Sequence, residues 1–173
     1  MIFKNCYRTH DCGELRIEDD GKEVKLAGWV NSIRKLGGIT FATLRDNFGI
    51  TQILVKDDNL IQDVCKETVI AVHGKVIERE SKNPKMPTGD IEIDVDSLEV
   101  LGRCQSTLPF EILNAPATRE DLRLKYRYLD LRNPDTHNLI LLRSKMLHFV
   151  RNKMYDMGFT EVQTPILANS SPE

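Results

Sequence analysis

An aromatic side chain and an amide side chain within residues 39–55 could together bind a nucleic-acid base. Phe41 and Gln52 lie in two runs rich in β-branched and aromatic residues, which flank the polar segment 46–49 (Asp-Asn-Phe-Gly). Two such runs around a short polar segment that ends in glycine predict a β-hairpin. A base could stack on the ring of Phe41 and form hydrogen bonds with the amide of Gln52.

The two faces of this predicted hairpin carry different side chains. Successive side chains of a strand point to opposite faces, so Phe41 faces outward if Ala42 and Leu44 face a core. On the second strand Ile53 then fills the same core, and Gln52 projects on the side of Phe41. The expected binding surface is therefore the open face of a small sheet.

Alternating apolar and polar residues predict further strands around this hairpin. The sequence predicts strands over 23–31, 39–45, 50–55, 70–79 and 91–104, with a turn at 34–38 and a short helix over 57–65. Three strands, a helix and two more strands follow each other in the order of an OB-fold, a five-stranded barrel whose second and third strands bind oligonucleotides. We therefore expect a mainly β protein.

The second part of the sequence predicts helices. The segment 118–121 resembles a capping box, and a helical period continues from it to Leu131. Pro134 suits the first position of a long helix, whose apolar residues recur in steps of three and four. Gly158 is expected to close that helix, and residues 159–164 predict a short strand.

The position of the prolines divides the chain into parts. Residues 105–117 contain two prolines and no clear period, so we place a domain boundary there. The sequence predicts an OB-fold domain over 1–104, a linker over 105–133 and the start of a second domain over 134–173.

Composition and charge narrow the classes of function. Of the 173 residues, 40% are hydrophobic and 29% are charged, as in an ordinary globular protein. The formal net charge of −2 gives no general attraction to nucleic acid, so a binding surface must be local. The four cysteines form no C-x-x-C pair, so we expect reduced thiols and no metal site. Without a membrane-spanning run or a recognisable signal peptide, we expect a cytoplasmic protein with no membrane partner.

Three segments together resemble one enzyme family. They are residues 28–31 (Gly-Trp-Val-Asn), 124–132 (Leu-Lys-Tyr-Arg-Tyr-Leu-Asp-Leu-Arg) and 158–165 (Gly-Phe-Thr-Glu-Val-Gln-Thr-Pro). Joined to an N-terminal OB-fold, they resemble the aspartyl-tRNA synthetases of bacterial type, and the resemblance covers the whole chain. The third segment and the helix before it are similar to the first signature motif of class II aminoacyl-tRNA synthetases, which in that family builds the homodimer interface.

The resemblance implies an activity for a longer protein. A full-length enzyme of this family activates aspartate with ATP and Mg²⁺ and attaches it to tRNA(Asp). The later family motifs that bind ATP are absent from the sequence, so we expect a fragment of roughly the first third, with no catalytic residue, cofactor or activity of its own. Glu173 matches a glutamate that helps to hold the substrate aspartate in similar enzymes.

The resemblance also implies contacts with the anticodon stem-loop of tRNA(Asp). The matching positions are Arg34, Phe41, Gln52, Arg79, Asn83 and Glu92. In similar enzymes the residue matching Phe41 stacks on the central uridine of the anticodon, and the residue matching Glu92 lies near the first base. The other four hydrogen-bond to anticodon bases or to the adjoining backbone, and amide and guanidinium groups suit that role.

These residues also have ordinary structural interpretations. Phe41 could be buried beneath the N-terminal residues 1–22, and Gln52 and Asn83 could satisfy backbone groups of loops. Glu92 could belong to a solvent-facing strand edge, and the arginines to a solvated surface.

Two other functions stay open on the sequence alone. One is a stand-alone OB-fold module that binds single-stranded nucleic acid, and the other is a sister synthetase for lysine or asparagine. A stand-alone module has no use for the apolar helix predicted after Pro134, because only a large second domain would cover that helix. The ending Leu131-Arg132 and the pattern from Arg34 to Gln52 favour the aspartate enzyme.

Overall fold

The computed structural model describes residues 5–104 and 107–166. The chain separates into two compact units, the first ending at Thr107 and the second beginning at Leu108. Strands build the first unit and helices build the second. No helix in the described ranges combines the length and the apolar character that crossing a membrane needs.

Five strands of the described chain form a closed barrel in the first unit. They are β1 (Glu23–Leu36), β2 (Ile39–Arg45), β3 (Ile50–Val55), β4 (Val69–Glu78) and β5 (Ile91–Gly102). Around the barrel they follow the order β1-β2-β3-β5-β4, and β1 closes the barrel by pairing with β4. β3 and β5 run parallel, and the other neighbours run antiparallel. This topology confirms the predicted OB-fold.

The hairpin of β2 and β3 has the two faces that the alternation predicts. Ala42 and Leu44 are buried in the barrel core, and Ile53 joins them from β3. Phe41 lies on the opposite face of β2 and is half-buried. The predicted orientation of the hairpin is therefore confirmed.

The connection between β1 and β2 is shorter than predicted. β1 continues to Leu36, which pairs with Ile39, so the turn consists only of Gly37 and Gly38. Both glycines have positive φ, 59° and 83°, which is the conformation that a two-residue hairpin turn needs and that glycine adopts without strain. Arg34 consequently lies on a strand rather than in a turn.

The predicted helix over 57–65 is a single 3₁₀ turn, Asp58–Ile61. The side chain of Asp57 caps it by accepting a hydrogen bond from the backbone N–H of Asn59 at 3.0 Å. Ile61 is buried in the barrel core, so the chain turns inward after one turn and no longer helix forms.

The turn between β2 and β3 is held by Asp46 and by the N-terminal segment. The Asp46 carboxylate accepts hydrogen bonds from the backbone N–H groups of Phe48 at 2.7 Å, Gly49 at 2.9 Å and Cys12 at 2.9 Å. A Cβ atom at Gly13 would overlap the carbonyl oxygen of Phe48, so the two segments touch through their backbones. Burial, followed by the nearby Asp46 charge, raises the pKa of the Cys12 thiol.

The second unit contains two short helices and one long helix. They are α1 (Glu120–Lys125), α2 (Arg127–Asp130) and α3 (Pro134–Asp156). The first two replace the continuous helix predicted from residue 118 to Leu131, because the backbone leaves the helical region at Tyr126, with φ −111° and ψ 47°. The predicted capping box does not form, since Arg119 is the N-cap and its side chain makes no capping hydrogen bond.

A buried carboxylate joins α1 to α2. Asp130 is 0% exposed. Its Oδ1 accepts a hydrogen bond from Nε of Arg123 at 2.8 Å, and its Oδ2 accepts one from Nη1 of Arg127. Both guanidinium groups still reach solvent. One carboxylate therefore ties together two turns of the segment that resembles the synthetase family.

Asn133 connects this segment to the start of α3. Its Oδ1 accepts from the backbone N–H groups of Asp135 at 3.0 Å and Thr136 at 3.3 Å, which caps α3. Its Nδ2 donates to the carbonyl oxygen of Ile112 at 2.9 Å. The predicted helix start at Pro134 is confirmed.

α3 ends as predicted at Gly158, but the strand expected after it is absent. Gly158 has φ 87°, and the N–H of Phe159 donates to the carbonyl of Met154 at 3.1 Å, which is a Schellman closure. Residues 159–164 form no strand, because no other segment of the described chain pairs with them.

Candidate nucleic-acid interface

Five of the six predicted nucleic-acid contacts lie in one groove on the outer surface of the barrel. The groove has a volume of about 790 Å³. Arg34, Phe41, Gln52, Arg79 and Glu92 all line it. β1, β2, β3, β5 and the end of β4 each contribute at least one residue, so only the closed barrel creates the site.

Phe41 shares the lining of the groove with several apolar side chains. Phe41 lies opposite Arg34 on β1 and opposite Leu54 on β3. Directly paired residues point to the same face of a sheet, so the side chains of Arg34 and Leu54 flank that of Phe41 on the outer face. Leu36 and Ile39 extend the apolar wall. A half-buried ring with this support is suited to stacking on a base.

Gln52 and Glu92 form the polar floor of the groove. They are 6% and 7% exposed, and Nε2 of Gln52 donates to Oε2 of Glu92 at 2.7 Å. The alternative of a solvent-facing Glu92 is therefore wrong. The reason is the parallel pairing of β3 with β5, which places Glu92 beside Gln52 and away from solvent.

Arg79 contributes a guanidinium group to the same groove. Its backbone N–H donates to the carbonyl of Asp90 at 2.9 Å, which fixes its position just after β4. Its Nη1 is buried and has no hydrogen-bond partner in the part of the chain that the structure describes. A buried donor without a partner is costly, so this side chain is suited to an acceptor supplied by a ligand.

Two lysines at the rim are held by exposed ion pairs. Nζ of Lys35 lies 3.3 Å from Asp58, and Nζ of Lys56 lies 2.6 Å from Asp94. Hydrogen bonds from Thr40 and then from Lys35 lower the pKa of Asp58. Exposed ion pairs of this kind are weak, so the lysines can exchange their carboxylates for phosphate.

The sequence did not identify Leu54 and Lys56 as residues of the groove. Leu54 occupies the next outward position of β3 after Gln52, and Lys56 directly follows the strand. The alternation of inward and outward residues along β3 could have identified both.

Asn83 is not among the residues that line the groove. Its side chain accepts a hydrogen bond from the backbone N–H of Lys85 at 3.1 Å, and its own N–H donates to the carbonyl of Gly89 at 3.0 Å. A Cβ at Gly89 would overlap the carbonyl oxygen of Asn83. Asn83 therefore shapes the loop between β4 and β5. This position agrees with its structural interpretation, in which the Asn83 amide satisfies backbone groups of a loop.

Glu173 lies outside the described residues, and its role stays a prediction. Among the residues that are described, no group of three or more His, Cys, Asp and Glu side chains is placed to hold a metal ion.

Two family models match this chain. The OB-fold nucleic acid binding domain matches residues 24–101, and the model of class II tRNA synthetases (D, K and N) matches residues 119–173. The first match contains the barrel and its groove. The second contains α1, α2 and α3.

Curated relatives match nearly the whole chain. The aspartate–tRNA(Asp/Asn) ligase of Pelagibacter ubique is 46% identical over an alignment of 175 residues that covers 98% of this chain and 29% of the relative. The aspartate–tRNA ligase of Streptomyces avermitilis is 45% identical over an alignment of 173 residues that covers 96% of this chain and 29% of the relative. The chain thus spans about 29% of the length of these relatives.

A solved structure shows the same fold. The asparaginyl-tRNA synthetase from Pyrococcus horikoshii superposes with a TM-score of 0.77 at 29% sequence identity. The match covers 92% of this chain and 38% of that protein.

Proposed function

The chain belongs to the aspartyl-tRNA synthetase family, and on that premise we propose that its barrel binds the anticodon of a tRNA that accepts aspartate. The observation that carries this proposal is the groove of about 790 Å³ that brings together Arg34, Phe41, Gln52, Arg79 and Glu92. An aromatic ring, an amide and a guanidinium group are the groups that single-stranded RNA recognition uses.

In the proposed complex each group has a separate task. The central anticodon base stacks on Phe41, between Arg34 and Leu54. Gln52 hydrogen-bonds to a base edge at the floor of the groove. Arg79 binds a backbone phosphate through its guanidinium group, and Lys35 and Lys56 add weaker attraction at the rim.

Titration with RNA stem-loops tests this function. A labelled stem-loop with the anticodon GUC should bind this chain more tightly than the same stem with an unrelated loop of equal length. Equal affinity for both stem-loops would favour the alternative, a module that binds single-stranded nucleic acid without sequence preference.

The names of the relatives raise a second question, which is whether this chain binds one tRNA or two. One relative is named for both tRNA(Asp) and tRNA(Asn), and the other for aspartate alone. We propose as a second candidate that this chain also binds the asparagine anticodon, which differs from GUC only in its third base. Similar affinity for GUC and GUU stem-loops would support it, and a preference for GUC would restrict the chain to tRNA(Asp).

The activity of the whole protein is part of the proposal. We propose that it activates aspartate with ATP and Mg²⁺ and transfers it to tRNA, with Glu173 contacting the amino acid. No acidic cluster in the described residues fits a divalent metal, so no step of this chemistry is assigned to them.

Replacing Arg79 should change the salt dependence of binding. If the guanidinium group contacts one phosphate, Arg79→Ala should make the slope of log K against log salt concentration shallower by about 0.7, the value for one contact on single strands. Titrations of the GUC stem-loop over a salt series measure this slope. Arg103→Ala is a matched control, because Arg103 is exposed, paired with Asp63 and absent from the groove lining. Weaker binding by Arg79→Ala with an unchanged slope would mean that Arg79 contacts a base.

The surface of α3 supports a homodimer as a further part of the proposal. Apolar side chains along the helix are exposed: Leu139, Ile140, Leu141, Leu142, Met146, Leu147, Phe149, Val150 and Met154. Exposed apolar surface of this extent indicates a protein interface. We propose that a second copy covers it, in keeping with the resemblance of this region to the first class II motif.

Light scattering over a concentration series should therefore show association of this chain. We expect an average mass above the monomer value of 19.8 kDa at high concentration. Phe149→Lys should shift the mass toward the monomer, because Phe149 is 69% exposed and a charge there disrupts an apolar contact. Asn138→Lys places the same charge at an exposed polar position and should have little effect. A wild-type chain that is monomeric at every concentration would contradict the proposal.

A further inference from the structure

Two of the four cysteines are in contact beside the end of β5. Sγ of Cys65 donates a hydrogen bond to the backbone carbonyl oxygen of Cys104 at 3.6 Å. Only two covalent bonds separate that oxygen from Cα of Cys104, so Sγ of Cys65 lies within about 6 Å of this Cα. The Cα atoms of a disulfide are usually about 4.4–6.8 Å apart, which this placement allows.

The backbone around both cysteines holds them in this position. Cys65 begins a turn that leads into β4, in which its N–H donates to Oγ1 of Thr68 at 3.2 Å. The first residue of β4 pairs with the last residue of β5, two residues before Cys104. The ion pair of Arg103 with Asp63 at 3.2 Å joins the same two segments. The approach of the two cysteines therefore follows from the pairing of β4 with β5.

The four cysteines all lie among the described residues, and they differ in exposure. Cys65 and Cys104 are both partly exposed, so a small oxidant in solution reaches them. Cys12 is buried, and its burial, followed by the nearby Asp46 charge, raises the pKa of its thiol, so it stays protonated and unreactive. Cys6 is exposed and serves as a comparison. Cys65 and Cys104 combine access to solvent with a second cysteine in contact.

We propose that Cys65 and Cys104 form a reversible oxidation site, which hydrogen peroxide converts to a disulfide. The Thr68 hydroxyl lies 3.3 Å from Sγ of Cys65 and can donate a hydrogen bond to its thiolate, which favours Cys65 as the attacking sulfur. Neither cysteine lines the groove, so this site is separate from the proposed function.

The oxidation proceeds in two steps. The Cys65 thiolate attacks the peroxide, so that an S–O bond forms and the O–O bond breaks. The departing hydroxide takes up the proton that the thiol has lost, which leaves a sulfenic acid and water. The sulfur of Cys104 then attacks that of Cys65, an S–S bond forms, the S–O bond breaks and a second water leaves. Each thiol has lost one proton and one electron, and the peroxide has been reduced to two molecules of water.

The disulfide would cross-link the barrel. It would enclose residues 65–104, which contain the whole of β4 and β5. A cross-link over a segment of this length restricts the unfolded chain and so stabilises the folded one. We expect the barrel to melt about 10 °C or more above its reduced form after oxidation, as followed by the fluorescence of Trp29.

Peroxide treatment of the whole chain tests this site. The folded chain is oxidised with hydrogen peroxide, the remaining thiols are blocked with iodoacetamide, and the disulfides are mapped by mass spectrometry of unreduced peptides. We expect a cross-link between Cys65 and Cys104 that dithiothreitol removes. Cys65→Ser and Cys104→Ser should each lack both the cross-link and the rise in melting temperature, whereas Cys6→Ser should keep both.

Three results would overturn the proposal. One is a folded, peroxide-treated chain in which Cys65 and Cys104 remain thiols or become separate sulfinic acids. Another is a cross-link that joins either of them to Cys6 or to a second chain. The third is an equal rise in melting temperature in Cys65→Ser, which would assign the stabilisation to another oxidised side chain. Melts of the reduced variants show whether they fold, and if a serine variant does not, the map of the wild-type chain decides.

Discussion

Phe41→Ala should weaken binding of the GUC stem-loop by about 1–3 kcal/mol, the range for losing one stack between a base and an aromatic ring. This is roughly a 5- to 150-fold increase in the dissociation constant. The reason is geometric, because Phe41 points away from the core that Ala42 and Leu44 fill and lines the groove. Anisotropy titrations with a labelled stem-loop measure the change.

The same substitution should have a small effect on folding. Phe41 is half-buried, so we expect the free energy of unfolding to fall by about 1 kcal/mol, roughly half the value for a fully buried phenylalanine. Phe48→Ala is the matched control, since Phe48 is 53% exposed and lies in the turn between β2 and β3, outside the groove. A Phe41→Ala chain that binds normally, or that loses binding only because it unfolds, would mean that the ring does not stack on RNA.

Asp130→Ala should destabilise the second unit by about 3 kcal/mol, the lower end of the cost of breaking a buried ion pair. Asp130 is 0% exposed and accepts hydrogen bonds from both Arg123 and Arg127. Without it two guanidinium groups lose their shared acceptor. Because both groups still reach solvent, the loss stays below the maximum for a fully buried pair.

Two spectroscopic signals can follow the unfolding of the two units separately. The chain has one tryptophan, Trp29 on β1, so its fluorescence reports on the barrel. Far-UV circular dichroism reports mainly on the helices. Asp130→Ala should lower the midpoint of the dichroism transition and leave that of the fluorescence unchanged.

Asp121→Ala is the matched control for Asp130. Asp121 also pairs with an arginine, Arg119, but both side chains are largely exposed, so its removal should change stability little. Equal effects of the two substitutions would show that the Asp130 carboxylate does not hold α1 and α2 together.

The sequence alone determined the features that depend on near neighbours in the chain. Alternation over residues 39–55 gave the two faces of the hairpin, because the side-chain period of a strand is fixed by its backbone. The boundaries of α3 followed from Pro134 and Gly158, whose backbone preferences act locally. The order of strands and helix was sufficient for the OB-fold, and the barrel confirms it.

Local errors in the prediction have the same physical origin. The break of the α1–α2 segment at Tyr126 and the short turn Asp58–Ile61 depend on what the chain packs against. Intrinsic helix propensity is weak, so a buried contact such as that of Ile61 overrides it. The strand predicted at 159–164 does not form, because a strand needs a paired neighbour and no segment of the described residues pairs with it.

Only the tertiary structure decided how the groove is assembled. Gln52 and Glu92 are 40 residues apart, and closure of the barrel through the parallel pair β3–β5 buries them together. The sequence of β5 by itself gives Glu92 the pattern of a solvent-facing strand residue. Whether a polar side chain contacts water or another side chain depends on which strand lies beside it, and that is set by long-range pairing rather than by local sequence.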